Sequence, residues 1–254
     1  MNRHLLTIIA ALASLTLAKA QVPAGVQAVD LGLPNGQKWA SCNVGATTPE
    51  GYGNYYAWGE TETRDDYSWA TYKHNNGVNS SDNITKYGNN ADTLTTLEPE
   101  DDAATAKWGS AWRMPTAAEM DELLEHCTWT WTTQNGINGY QVASKTNGNS
   151  IFLPAAGCSD GTVLKGAGSY GNYWYSSLYG IPCSAWSLDL LSDGIDRTGY
   201  FRSYGFSVRP VQESGTGTGF GYTAIADTAA ARKVLRNGQV LIFRNSKTYT
   251  ILGQ

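Results

Sequence analysis

Trp112-Arg113-Met114-Pro115-Thr116-Ala117-Ala118-Glu119-Met120-Asp121-Glu122-Leu123-Leu124-Glu125-His126-Cys127 is the stretch on which the fold turns. Thr116 and Glu119 stand three apart, the spacing at which a threonine and a glutamate cap each other's backbone amides at a helix start. Met120, Leu123, Leu124 and Cys127 then recur at helical spacing, which predicts a helix with one apolar face. Upstream, Pro99-Glu100-Asp101-Asp102-Ala103-Ala104-Thr105-Ala106 carries proline and acids where a second helix would begin. Elsewhere the signal is strand. Trp186, Leu188 and Leu190 alternate with Ser187, Asp189 and Leu191, the period of a strand with one face in the core and the other exposed. Phe206-Ser207-Val208-Arg209-Pro210-Val211 reads as a closing strand. The prediction is an α+β fold, with two helices, a twisted antiparallel sheet and a small C-terminal β tail.

The rest of the chain sets the context for that fold. Its 254 residues suffice for one or two domains with a sizeable core. Only 16% are charged, against about 25% in ordinary soluble domains. Their place is taken by 28 Gly, 9 Trp and 15 Tyr, which is the opposite of the charge-rich, aromatic-poor signature of disorder. The net charge of −4 argues against nucleic acid as a partner, since that needs a basic surface.

Arg3 and His4 precede an apolar run from Leu5 to Leu17, and Ala18-Lys19-Ala20 supplies small residues at a cleavage site. Residues 1–20 therefore read as a secretory signal peptide, with Gln21 as the mature start. The run is shorter than the ~20 apolar residues a membrane span needs, and no membrane span is expected elsewhere. Residues 21–212 read as one continuous domain. Glu213 to Tyr222 is a Gly/Thr-rich linker. In 223–254, Lys233–Leu235, Gln239–Arg244 and Thr248–Leu252 read as strands, with Asn237-Gly238 the strongest hairpin signal.

Four cysteines in an exported chain suggest disulfides, and four allow three connectivities. Cys158 with Cys183, and Cys42 with Cys127, is the pairing favoured here; Cys42 and Cys127 read equally well as small buried apolar residues. No C-x-x-C spacing, H-E-x-x-H or Walker pattern occurs.

Val29-Asp30-Leu31-Gly32-Leu33-Pro34-Asn35-Gly36-Gln37-Lys38-Trp39-Ala40-Ser41-Cys42-Asn43-Val44-Gly45-Ala46, Tyr55-Tyr56-Ala57-Trp58-Gly59-Glu60, Trp112-Arg113-Met114-Pro115-Thr116 and Ser207-Val208-Arg209-Pro210-Val211 stand in that order. Together they resemble the Fibrobacter succinogenes major paralogous domain, over about residues 28–212. The resemblance implies a C-type-lectin-like fold, shared with formylglycine-generating enzymes and with the variable receptors of diversity-generating retroelements. The tail, Arg232 to Gln254, resembles a reduced form of the sorting domains of type IX secretion, which implies a secretion machinery as a partner.

In C-type-lectin-like folds the late strands and loops carry the ligand surface. Here they hold Tyr and small polar residues, the composition of adaptable binding surfaces. Asn172, Tyr173, Tyr175, Tyr179, Asp189, Asp196, Arg197 and Tyr200 are the candidate ligand-binding residues. The tyrosines would offer stacking area, and Asn172, Asp189, Asp196 and Arg197 directional contacts. Trp39, Trp58, Trp112, Trp186 and Arg209 are expected to hold the framework.

The expected function is recognition of a glycan or surface protein by an exported, non-enzymatic module in the periplasm, at the cell surface or in the medium. The alternative is a structural or adhesive surface component. An enzyme of the formylglycine-generating type is a weaker reading. It needs a copper-binding cysteine pair, or several His ligands in its iron-dependent branch, and the mature chain has only His74 and His126. No cofactor is expected. Glu98, Glu100, Asp101 and Asp102 carry oxygens that calcium would accept, but the Glu-Pro-Asn loop and Trp-Asn-Asp strand of calcium-dependent lectins have no counterpart.

Overall fold

The Thr116 hydroxyl accepts from the Glu119 amide at 3.4 Å and the Glu119 carboxylate from the Thr116 amide at 2.8 Å, so the capping box forms as its spacing requires. It opens helix α2, Ala117–His126, whose Met120 and Leu123 are buried. The structure, a computed structural model, describes residues 20–88, 92–212, 232–236, 239–244 and 247–250. Residues 1–19 of the expected signal peptide, the expected 213–222 linker and the expected Asn237-Gly238 turn lie outside the described residues. The chain divides into two units, Met1–Ser214 and Gly215–Gln254.

The upstream helix is shorter than its sequence pattern. Pro99–Asp101 forms a 3-10 turn, and helix α1, Ala103–Trp108, starts afresh behind it. Asp102 divides the two. Its carboxylate accepts from the Thr105 amide (2.9 Å) and the Met114 amide (2.8 Å), so Asp102 is an N-cap rather than a helical residue.

Antiparallel strands make up most of the rest. β1 (Ala28–Asp30), β2 (Lys38–Ala40), β12 (Val211–Gln212) and β3 (Trp112–Arg113) form one sheet in that order. Val211 pairs with both Trp39 and Arg113, which ties the end of the unit to its beginning. The closing strand expected over Phe206–Val211 is therefore only two residues long. Its upstream part makes single bridges instead, Phe206 to Tyr56 and Ser207 to Tyr173. A second sheet joins β4 (Cys127–Gln134), β5 (Ile137–Ser144) and β6 (Ser150–Pro154). A short hairpin pairs β7 (Cys158–Asp160) with β8 (Val163–Lys165).

The third sheet has β10 (Ser184–Leu191) between β9 (Tyr170–Leu178) and β11 (Gly194–Phe201). It separates two hydrophobic clusters. Tyr173, Tyr175, Leu188 and Leu190 pack with Met120, Leu123, Val142 and Leu153 on one side. Trp174, Ala185, Phe206, Trp58 and Trp112 pack on the other. Burial on both faces is the arrangement of a central layer, and it overturns the expected exposure of Ser187 and Asp189, which are 0% and 8% exposed. Leu191, at the strand end, is exposed.

Two buried arginines join the elements with no carboxylate partner among the described residues. Arg209 donates to Asn43 Oδ1 (2.8 Å) and to the carbonyls of Ala40 (3.0 Å) and Phe152 (2.9 Å). Arg202 donates to the Tyr72 hydroxyl (2.8 Å) and to the carbonyls of Lys86, Tyr87 and Pro182, under the Trp58 ring at 4.7 Å. Guanidinium matches several acceptors at once, so carbonyl dipoles can replace an anion.

The tail strands β13 (Arg232–Arg236), β14 (Gln239–Arg244) and β15 (Lys247–Thr250) form a meander, with Arg236 paired to Gln239.

Candidate functional site

Residues paired across antiparallel strands share a face, and this divides the eight candidate residues. Asp189 pairs with Asn172 on one side and Asp196 on the other, and Ala185 pairs with Tyr200. Asn172, Asp189, Asp196 and Tyr200 therefore stand on the face toward Trp174 and Phe206. Leu188 pairs with Tyr173 and Arg197, so those two stand on the face toward α2. Tyr175 and Tyr179 join them through Trp186. Tyr175 stacks near its ring, and Tyr179 meets it edge-on at 4.6 Å. Gly199 permits this, because a Cβ there would fall 2.2 Å from the Tyr179 ring.

Tyr173 and Tyr175 are 1% and 0% exposed and offer no stacking surface, which corrects their expected role. The Tyr173 hydroxyl donates to the Pro154 carbonyl at 2.7 Å, and burial pushes its pKa up to about 12. The Tyr175 hydroxyl is buried with no hydrogen-bond partner among the described residues. Both side chains fall on the strand face that α2 covers, and the sequence pattern could not say which face that was.

Asn172 and Asp189 are corrected in part. Asn172 Nδ2 donates to Asp189 Oδ1 at 2.7 Å, and Ser187 Oγ donates to the same oxygen at 3.0 Å. Burial raises the Asp189 pKa, while hydrogen bonds from Ser187, Asn172 and Tyr200 lower it; the net direction is upward. These two residues form a polar floor under Tyr200 rather than an exposed contact.

Asp196 and Arg197 are exposed, and Tyr179 and Tyr200 half-buried. Arg197 is ion-paired to Asp121 of α2, with its guanidinium 5.7 Å from the Trp186 ring.

Around Tyr200 lies a chain of aromatic rings. Tyr200 and Tyr204 have centroids 6.3 Å apart, Tyr204 and Phe201 6.1 Å, and Phe201 and Trp69 5.8 Å. Phe201 is 44% exposed, while Trp69, Tyr200 and Tyr204 are half-buried. Arg202, anchored beneath, fixes the turn that carries Phe201 and Tyr204. Phe201 and Tyr204 lie in the stretch singled out by composition. Trp69 comes from a loop far back in the sequence, and no local signal joins it to them.

The acids upstream of α1 are occupied by protein groups. Asp101 is buried and accepts from Lys73 Nζ (2.6 Å), Lys86 Nζ (2.6 Å) and the Tyr87 hydroxyl (2.7 Å). Burial alone would raise its pKa, but these donors together bring it to about 2. Glu98 pairs with Lys86 at 2.7 Å, and Asp102 is the cap of α1. Among the described residues no group of three or more His, Cys, Asp or Glu converges to hold a metal ion. His74 is buried against the Gly59 carbonyl at 3.0 Å, and burial lowers its pKa to about 4.

All four cysteines are free, which corrects the expected disulfides. Cys127 packs in the core with Met120 and Leu123. Cys42 is buried just after β2. Cys158 lies 3.4 Å from the Tyr170 hydroxyl and Cys183 3.9 Å from that of Ser184. The fold distributes the thiols over separate environments instead of bringing them into pairs.

Among the described residues no helix is long and apolar enough to cross a membrane. No protein-family model, curated protein or solved structure matches the chain.

Proposed function

We propose that this chain is an exported, non-enzymatic recognition module of a bacterial envelope or surface, and that it binds a glycan or protein through the Trp69–Phe201–Tyr204–Tyr200 surface. The observation that carries the reading is the continuity of that ring chain, drawn from two distant parts of the sequence and seated on a turn that Arg202 anchors. Partly exposed rings in a row offer apolar area at low conformational cost. Asp196 and Thr198 on the same face of β11 add hydrogen-bonding groups beside it. A C-type-lectin-like fold is part of the same proposal, supported by two helices followed by antiparallel strands whose late members carry the surface.

The test is an array of glycans and bacterial surface proteins probed with the purified chain and with a Tyr200→Ala, Phe201→Ala variant, in calcium and in chelator. A hit lost in the variant and kept in chelator is the expected outcome. A hit kept in the variant removes this surface from the account. No hit from the folded chain favours the structural or adhesive alternative.

A further inference from the structure

Away from the aromatic surface, the segment from Ser41 to Glu50 roofs part of the sheet β4–β5–β6. Beside it is a cavity of about 110 Å³, open to solvent and lined by Ser41, Pro49, Gln134, Gln141, Ser150, Ile151 and Phe152, of which Gln141 and Ser150 are exposed. The strands set its floor by register. Gln141 pairs with Phe152, and Ser150, two residues before Phe152, shares that face. The roof is pinned at its far end. Glu50 accepts from Asn135 Nδ2 at 2.9 Å and from Gln134 Nε2 at 3.3 Å, at the turn between β4 and β5.

The lining has a definite chemistry. Its four polar side chains are two amides and two hydroxyls, and none is ionisable. Gln134 Nε2 is engaged by Glu50, which leaves its carbonyl oxygen as an acceptor. Ser41 Oγ accepts from the Gln27 amide at 2.9 Å and lies 3.5 Å from Cys42 Sγ. The side chains of Gln141 and Ser150 present both donors and acceptors. Pro49 supplies apolar wall, with the edge of Phe152, 3% exposed, behind it. Donors and acceptors that alternate without charge match a group whose every oxygen both gives and takes a hydrogen bond, next to a face of C–H groups.

We infer that this cavity is a binding site for one neutral, hydroxylated ring, a single pyranose residue, separate from the aromatic surface. The volume is below the ~300 Å³ of sites that enclose a drug-sized ligand, so it takes one ring or part of one and leaves the remainder in water. Glu50 at the rim disfavours a carboxylated ring, since a like charge held nearby is repelled. Affinity in the millimolar range is expected for so small a contact.

Side-chain amide signals of Gln134 and Gln141 in the NMR spectrum of the intact chain provide the readout. The probes are the methyl glycosides of glucose, galactose and mannose, with glucuronate as the charged comparator. Saturable shifts of both amides with at least one neutral glycoside, and weaker ones with glucuronate, are expected. Gln141→Ala should weaken the binding about tenfold, read from the Gln134 signal, and Ser150→Trp should fill the cavity and abolish it. Tyr200→Ala should leave it unchanged, which separates this site from the proposed function. No saturable shift with any neutral probe, equal shifts with glucuronate, or binding that survives both cavity variants would overturn the inference.

Discussion

Tyr173 and Tyr175 are two residues apart on one strand and equally buried, yet their hydroxyls have opposite fates. That of Tyr173 donates to the Pro154 carbonyl and accepts from Asn43 Nδ2, while that of Tyr175 has no partner among the described residues. A buried polar group left unpaired is destabilising by about 1–3 kcal/mol, whereas a satisfied hydrogen bond contributes about 1 kcal/mol. Tyr175→Phe should therefore raise stability by about 1 kcal/mol and Tyr173→Phe lower it by about as much, read from urea unfolding midpoints. A loss in Tyr175→Phe as large as that in Tyr173→Phe would mean that its hydroxyl has a partner after all. At this scale the sequence was a fair guide to residue type and a poor one to direction. Alternation along β10 showed that two faces exist, but not that Phe206 and Trp174 cover the second. The polar residues Asn172, Ser187 and Asp189 satisfy one another inside, so their polarity did not mark exposure.

At the scale of elements, the parts legible in sequence are those held by local contacts. The α2 capping box is one, and Thr116→Ala should reduce stability by about 1 kcal/mol through loss of the amide it caps, measurable by thermal or urea unfolding. Glu119 should be more sensitive, because its carboxylate also holds Arg113 through both terminal guanidinium nitrogens. The segment from Gly59 to Gly88 was not legible, since what orders it is a set of distant partners: Lys73, Lys86 and Tyr87 on Asp101, and His74 on Gly59. This stretch carries a pH dependence. Burial lowers the His74 pKa to about 4 from 6.5, so between those values the unfolded chain binds a proton that the folded chain refuses. Stability from neutral His74 is complete above pH 6.5 and declines as pH falls toward 4. His74→Gln should flatten the unfolding midpoint across that window. An NMR titration of His74 with a midpoint near 6.5 would refute the cause.

At the scale of the molecule, β9, β10 and β11 form a layer between two cores, and β12 closes the unit by pairing with both β2 and β3. The α+β class and the tail strands were readable from periodicity. The aromatic surface was readable only in part, because Trp69 reaches Phe201 through folding rather than through sequence. Recognition through that surface is the central claim, and a glycan and surface-protein array tests it most directly, with the intact chain beside the Tyr200→Ala, Phe201→Ala variant. Truncating central aromatics typically weakens binding by about 1–2 kcal/mol each, roughly tenfold in Kd. The account predicts at least one specific hit, at least tenfold weaker in the variant and unchanged by chelator. A hit of equal strength in both proteins, or none with both folded, would contradict it.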